Sequence, residues 1–410
     1  MPPERELIDD CVHCGFCLPH CPTYVSWGEE MDSPRGRIDL MRAVRGGAPL
    51  TPTVAQHFDR CLGCMACVTA CPSGVRYDVL IEETRAMVER LHRRPLRERV
   101  QRALIFSLFP HPRRLRVAVA LLLAATWTGL RWLLERLRLF PALAPRVTAH
   151  HLTAALPDRV PAQGSQRQRV ALVAGCVQRV FFPSVNEATL RVLSAEGCEV
   201  LVPRGQGCCG ALSMHAGRDQ ESLRFARELI LRIPADVDAI LINAAGCGSH
   251  LKDYGRLLNS DEARAFSAKV RDVNEFLAAL SPRAPRQPLP LRIAMHDACH
   301  LQHAQRITAE PRALLRSIPG VTLLEVPEGG QCCGSAGIYN LVQPQSAAEI
   351  GERKADNVLA TGAELLASAN PGCTLQIQMM LRRRGRSLAA AHPIEILDAS
   401  ISGTRARWSR

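Results

Sequence analysis

Eight cysteines in two identically spaced arrays constrain this chain more than any other feature. The arrays are Cys11-x2-Cys14-x2-Cys17-x3-Cys21-Pro22 and Cys61-x2-Cys64-x2-Cys67-x3-Cys71-Pro72. Three thiols within seven residues fit around one iron–sulfur cube, because a tight turn aims successive side chains at one point. The fourth, followed by proline, ligates the other cluster where two clusters share such arrays. The spacing therefore assigns Cys11, Cys14, Cys17 and Cys71 to one [4Fe–4S] cluster, and Cys61, Cys64, Cys67 and Cys21 to a second. Structural zinc accounts for paired CxxC elements, but it has no use for a third cysteine and a trailing Cys-Pro repeated twice.

At 410 residues the chain has room for two or three domains. Its seventeen cysteines, clustered rather than scattered, point to metal ligation in a reducing cytosol rather than to disulfides, and Met-Pro-Pro-Glu-Arg-Glu lacks the apolar core of a signal peptide. The net charge of +12 is local. Residues 85–138 hold thirteen arginines against Glu89, Glu98 and Glu135, which is 13 − 3 = +10. With aromatics at 4% there are no stacking platforms for bases, so no nucleic-acid partner is expected.

Segments 35–44, 53–58 and 79–92 carry helical periodicity and make the first module helical. Residues 117–130 then run without a charge, too short to span a bilayer. Arg113, Arg114 and Arg116 before the run, with Arg131, Arg136 and Arg138 after it, leave two readings open. One is a packed or partner-contacting helix, the other an interfacial helix at the inner face of the cytoplasmic membrane. Residues 141–168, rich in proline and alanine, read as a linker.

The second half is a duplication. Cys176, Cys208-Cys209-Gly210 and Cys247 recur as Cys299, Cys332-Cys333-Gly334 and Cys373, at offsets of 123, 124 and 126 residues. Strands are expected at 170–174, 199–203 and 239–243, and again at 291–295, 321–326 and 364–368. Helices such as 186–196 and 220–233 separate them, giving β-α-β-α-β per copy. Each cysteine follows a strand, and the carboxyl ends of parallel strands are where open α/β sheets bind ligands. Four thiols per copy suit an iron–sulfur centre, zinc or thiol–disulfide chemistry, and the residues alone leave these open. Gly205 to Gly210 also matches a dinucleotide fingerprint, but the second copy keeps Cys-Cys-Gly and loses the glycine spacing. His250 follows Cys247 at CxxC spacing and could be a ligand, with a solvated or supporting role as the default; His296, His300 and His303 surround Cys299 and could tune a cluster through hydrogen bonds, with ordinary surface or loop histidines as the default. No Ser-His-Asp set or carboxylate pair is evident, so no catalytic residue is assigned.

Taken together, the two arrays, the two Cys-Cys-Gly repeats, Ser33-Pro-Arg-Gly-Arg37, Asn243-Ala-Ala-Gly-Cys-Gly248 and Asn370-Pro-Gly-Cys373 resemble the iron–sulfur subunit of bacterial glycolate oxidase. The architecture is similar to the third subunit of anaerobic glycerol-3-phosphate dehydrogenase. The repeats alone resemble the catalytic subunit of heterodisulfide reductase, although Cys247-Gly-Ser-His250 and Cys373-Thr-Leu-Gln376 lack that protein's final cysteine.

The resemblance implies an α+β multidomain chain. Residues 1–95 would form a helical two-cluster ferredoxin domain and 96–168 an Arg-rich helical segment and linker. Residues 169–285 and 286–410 would form two α/β repeats related by a pseudo-two-fold axis. It implies two [4Fe–4S] clusters, with further iron–sulfur or zinc at Cys176, Cys208, Cys209, Cys247 and at Cys299, Cys332, Cys333, Cys373. It further implies an electron-transfer subunit that takes electrons from FAD-containing subunits oxidising glycolate and delivers them to a respiratory quinone. Alternatives are the same role for glycerol 3-phosphate or lactate, or a heterodisulfide-type reductase. The flavin must sit elsewhere, since the chain shows no flavin fingerprint.

Overall fold

A computed structural model describes residues 5–130, 132, 136, 147–404 and 408. Arg131, Arg138 and residues 141–146, which the charge and linker readings include, lie outside them. The N-terminal module is helical, as its periodicity requires. Ser33 caps α1 (Pro34–Arg45): its hydroxyl accepts the Gly36 N–H at 3.0 Å, and Pro34 takes the first helical position, where no donor is missed. Ile38 and Met41, one turn apart, bury with Phe58 of α2 (Pro52–Asp59) and with Leu80 and Ile81 of α3 (Tyr77–Leu91).

Two helices then connect the modules, α4 (Leu96–Leu108) and α5 (Pro112–Trp127). On α5 the four-residue spacing of Leu115, Val119 and Leu123 buries them with Val147 and Val180, while Val117, Leu121 and Trp127 on the other side stay exposed. The apolar run is therefore a packed helix with one bare apolar face. No helix among the described residues is long and apolar enough to cross a membrane. The segment expected to be a linker is partly ordered structure. Arg159–Val160, as β1, pairs antiparallel with β3 (Cys198–Leu201) and covers the edge of the first sheet. A two-residue strand has no periodicity to read.

In the first repeat β2 (Gln168–Val173), β3, β4 (Ala239–Ile242) and β5 (Val270–Asp272) lie parallel in the order β3-β2-β4-β5. In the second, β6 (Leu291–His296), β7 (Val321–Glu325), β8 (Leu365–Ser368) and β9 (Ala389–Ala391) take the order β7-β6-β8-β9. The permutation is the same, so the duplication seen in the cysteine offsets extends to topology. Both sheets carry a fourth parallel strand that the β-α-β-α-β reading lacks. β5 and β9 are three residues long, and β9 is all alanine, without the β-branched or aromatic side chains that mark strands.

Helices α6 (Pro183–Ala195), α7 (Asp219–Ile230), α8 (Ala245–Lys252) and α9 (Val273–Ala279) follow the strands of the first copy. Their counterparts are α10 (Ala309–Arg316), α11 (Pro344–Ala360), α12 (Pro371–Arg383) and α13 (Pro393–Ser402). Across the repeats α6 packs on α13 and α9 on α10. First helix on last and last on first is the contact pattern a two-fold axis generates. The copies bury one face of each sheet together: Leu172, Leu193 and Val200 share a single core with Ile293, Met295 and Leu365, sealed by Leu277, Leu315 and Leu397.

Leu397, wholly buried in α13, tests this shared core. Leu397→Ala should cost about 2–5 kcal/mol in denaturant unfolding of the holoprotein. It should also weaken hydrogen-exchange protection in β2 and β4 of the other repeat. Loss confined to the second repeat would mean that the copies are independent.

Candidate iron–sulfur centres

The turns of the two N-terminal arrays bring Cys21, Cys61, Cys64 and Cys67 around one small cavity of about 20 Å³. The fourth cysteine of the first array thus crosses into the second, and four buried thiols around a void are a donor set that fits a cluster. Cys11, Cys17 and Cys71 pack half-buried against the same core, and Cys14 is exposed. Beside them Val12 and Phe16 are 67% and 64% exposed, a bare apolar rim around the outer set of thiols.

Buried thiolates need positive charge. Arg37, on α1, is fully buried and hydrogen-bonds the His57 carbonyl at 2.7 Å, the Thr23 hydroxyl at 3.2 Å and Asp32 at 3.3 Å. Asp32 is buried too, and is also held by His57 and Arg60, each at 2.9 Å. Burial opposes ionisation of Cys61, but Arg37 and Arg85 outweigh it and hold that thiol below its ordinary range. The Gly63 N–H at 3.4 Å and the Tyr77 hydroxyl at 3.6 Å point at the same sulfur. A Cβ on Gly36 would lie 2.0 Å from the Glu30 carbonyl oxygen. Ser33-Pro-Arg-Gly-Arg37 is therefore a cap, a close approach that only glycine permits, and a buried cation behind a cluster thiol.

The second repeat docks onto this module through two histidines. His300 bonds the Gly63 carbonyl at 3.1 Å through Nε2 and the Ser249 hydroxyl at 2.7 Å through Nδ1. His303 bonds the Gly330 carbonyl at 3.0 Å and the Thr69 hydroxyl at 3.0 Å. Gly63 and Thr69 lie inside the second cysteine array, so these side chains join that array to the short π-helix His300–Ala304 after β6. Burial lowers the His300 pKa to about 4, leaving a neutral ring that donates from one nitrogen and accepts at the other. The default reading of loop histidines does not hold for them. Cys64 consequently packs in one cluster with Cys299 and Cys332.

Cys176, Cys208, Cys209, Cys247, Cys299, Cys332, Cys333 and Cys373 all line one cavity of about 530 Å³. The two-fold arrangement turns both sets of strand ends toward each other, so the expected separate lobes open onto a common space. Cys176 and Cys208 are 3.4 Å apart. Hydrogen bonds from Cys208 and Cys247 hold the Cys209 thiol well below its ordinary range, whereas contact with Cys176 and Cys209, added to burial, pushes Cys208 up. Cys247 and Cys373 sit in the first turns of α8 and α12, and contact with Cys209, added to burial, pushes the Cys247 thiol up. The Asn370 amide reaches Cys373 at 3.3 Å. The remaining walls are mostly apolar, with Leu104, Leu108, Phe109 and Leu115 of the connecting segment, and carry Gln178, His215, Ser335 and Asn340 among their polar residues.

Two further histidines flank these thiols. His250 bonds the Ser222 hydroxyl at 2.9 Å and sets its edge against Tyr254, so its Nε2 is taken by α7. His296 is buried with both ring nitrogens unpaired, and burial followed by Lys354 lowers its pKa to about 3.

The glycine of each Cys-Cys-Gly loop is explained twice over. Gly210 and Gly334 have φ of +90° and +84°, and their N–H groups reach the sulfurs of Cys208 and Cys332 at 3.3 and 3.4 Å. A Cβ on Gly334 would lie 2.6 Å from the Ala347 carbonyl of α11, and one on Gly210 2.9 Å from the Ser222 carbonyl of α7. Gly334→Ala should therefore destabilise the fold by about 1–3 kcal/mol and displace Cys332 and Cys333. Denaturant titration with thiol accessibility measures both effects, and unchanged stability with unchanged accessibility would refute the steric account.

Comparison with known proteins agrees with this geometry. The family described as "4Fe-4S dicluster domain" matches residues 7–75, and "Cysteine-rich domain" matches twice, at 170–252 and 293–378. "Glycolate oxidase iron-sulfur subunit, linker region" matches 97–154, which includes α4 and α5. A Bacillus subtilis protein named "Probable glycolate oxidase iron-sulfur subunit" is 39% identical over 96% of this chain and 94% of its own length. The "Glycolate oxidase iron-sulfur subunit" of Escherichia coli is 37% identical over 97% and 95%. The "Lactate utilization protein A" of an Exiguobacterium species is 29% identical over 57% of this chain and 98% of its own length. The two [4Fe–4S] sites of the N-terminal module, the connecting helices and the paired cysteine-rich repeats thus occur together in one known architecture, and the chain belongs to the glycolate oxidase iron–sulfur subunit family.

Proposed function

We propose that this electron-transfer subunit accepts electrons from a flavin-containing partner that oxidises glycolate to glyoxylate and passes them toward a respiratory quinone. The observation that carries the reading is the order of the thiols through the molecule. Cys11, Cys14, Cys17 and Cys71 lie nearest the surface; Cys21, Cys61, Cys64 and Cys67 are buried behind them. Cys64 adjoins Cys299 and Cys332, which open onto the cavity shared with the first repeat. A flavin gives up electrons as a pair, and iron–sulfur centres, when bound, exchange them singly.

In this reading the chain's own residues define the route and hold it dry. Val12 and Phe16 form the apolar rim on which a flavoprotein would seat, next to the outermost cysteines. Arg37 and Arg85 supply positive charge beside Cys61, and His300 and His303 keep the second array against the second repeat. At the far end Leu104, 58% exposed, lines the cavity, which therefore opens to solvent along α4. The bare face of α5, Val117, Leu121 and Trp127, has exposed Arg113 and Arg114 beside it, a pattern suited to an anionic bilayer carrying a lipophilic acceptor.

Glycolate added anaerobically to the isolated chain should leave the cluster absorbance unchanged, and adding the flavoprotein should bleach it. Bleaching without the partner would overturn this division of labour. Cys64→Ser should cut acceptor reduction by at least tenfold while the partner continues to reduce an artificial dye with glycolate. Undiminished acceptor reduction would remove Cys64 from the route.

A further inference from the structure

The two repeats share strand order, helix pairing and four cysteines, yet they differ in a buried strand position beside the thiols. β2 ends on Val173 and β6 ends on His296, which correspond at the 123-residue offset that relates Cys176 to Cys299. Both are central strands, and both side chains are buried. A valine there joins the apolar core of the first repeat, as the interior of a parallel sheet requires. An imidazole there has two polar atoms to satisfy, and neither ring nitrogen has a partner. Leaving a buried polar group unpaired is unfavourable, because its hydration is lost and nothing replaces it. Such an orphan beside two buried thiols points to a ligand that pairs with it.

What it faces identifies the chemistry. A ring nitrogen of His296 and the sulfurs of Cys333 and Cys373 all lie within 4.8 Å of one another. Two donors bound to one tetrahedral ion at bonds of about 2.0 and 2.3 Å are about 3.5 Å apart, so small rotamer changes bring these three onto a single metal. Among the described residues no other group of histidine, cysteine, aspartate or glutamate converges in this way. The first repeat has four thiols in a chain of contacts, with a valine where the nitrogen would be. Cys373 is already oriented by Asn370, and Cys333 by the turn at Gly334, whose φ is +84°.

We propose that His296 is a direct ligand, with Cys333 and Cys373, of a thiophilic transition metal in the second repeat, making the two repeats chemically unequal. The site takes iron of an iron–sulfur centre or zinc, since both accept imidazole nitrogen alongside thiolate. It rests on the reading that the repeats bind metal, and adds that one is all-sulfur and the other mixed. Replacing thiolate by neutral imidazole on iron raises the reduction potential, so an iron centre here would be the more easily reduced of the two. It would also be the one beside Cys64 and the second ferredoxin cluster.

The test uses the full chain, purified anaerobically, with histidine labelled with nitrogen-15. X-ray absorption at the iron and zinc edges distinguishes the two metals. If iron occupies the site, pulsed electron paramagnetic resonance of the reduced protein should show a strongly coupled nitrogen whose frequencies change with the label. If zinc occupies it, the zinc edge should show a mixed nitrogen and sulfur shell. In either case the nitrogen signal should disappear in His296→Val, which copies the first repeat, and persist in Val173→Ala. The wild-type spectrum decides the matter even if His296→Val fails to fold. Metal in both repeats with sulfur-only coordination overturns this inference and leaves the reading of the repeats standing. Metal confined to the ferredoxin module overturns both.

Discussion

Burial of one face of each sheet in a common core is the constraint on which the rest of this structure depends. Parallel strands send all their carboxyl ends to one edge. When two such sheets pack with α6 on α13 and α9 on α10, those edges are brought round a two-fold axis to face each other. Eight thiols from distant parts of the sequence then line one cavity without any of them being placed individually. The close fits at Gly210 and Gly334 belong to the same logic. Each loop must pass against the first turn of the following helix, and a side chain at either glycine would hold it off.

Charge is the second constraint. A buried cluster with thiolate ligands concentrates negative charge where water cannot screen it, and the fold answers with arginine behind Cys61. Arg37 is itself too deeply buried to be tolerated alone, and Asp32, His57 and Thr23 satisfy it. Asp32 is thereby tied to α1, to α2 and, through Thr23, to the short helix Pro22–Trp27 after the first array, so the charge network also fixes how the module's helices meet. Farther out the arrangement loosens: Cys14 is exposed, and Val12 and Phe16 project beside it. An electron-transfer protein needs this gradient, closed where a centre must stay dry and open where a partner must come near.

Much of this was legible in the sequence because it rests on local spacing. Turns of three residues set the cysteine arrays, and near-continuous apolar runs such as Val170–Val173 and Ala239–Ile242 mark strands buried on both faces. The nearly constant offsets between repeats carried the duplication and, with it, the two-fold. What was missed depends on contacts between distant segments or on elements too short to show periodicity. β1, β5 and β9 hold two or three residues each and exist because a neighbouring strand offers its edge. His300 and His303 read as loop residues, since nothing near them in the chain reveals that Gly63 and Thr69 will be opposite. His296 was within reach: the offset that aligns the cysteines also sets it against Val173, and a histidine aligned with a core valine is the signal.

Electron transfer through this subunit requires metal centres that run without a break from the exposed array at Cys14 to the cavity between the repeats. Anomalous diffraction from crystals of the anaerobic holoprotein, collected on both sides of the iron and zinc absorption edges, tests it most directly. The account predicts peaks at both sets of ferredoxin cysteines and at each cysteine set of the cavity, with the inner ferredoxin cluster adjacent to Cys299 and Cys332. Peaks at the ferredoxin sites alone, with the eight cavity thiols free or paired as disulfides, would contradict it.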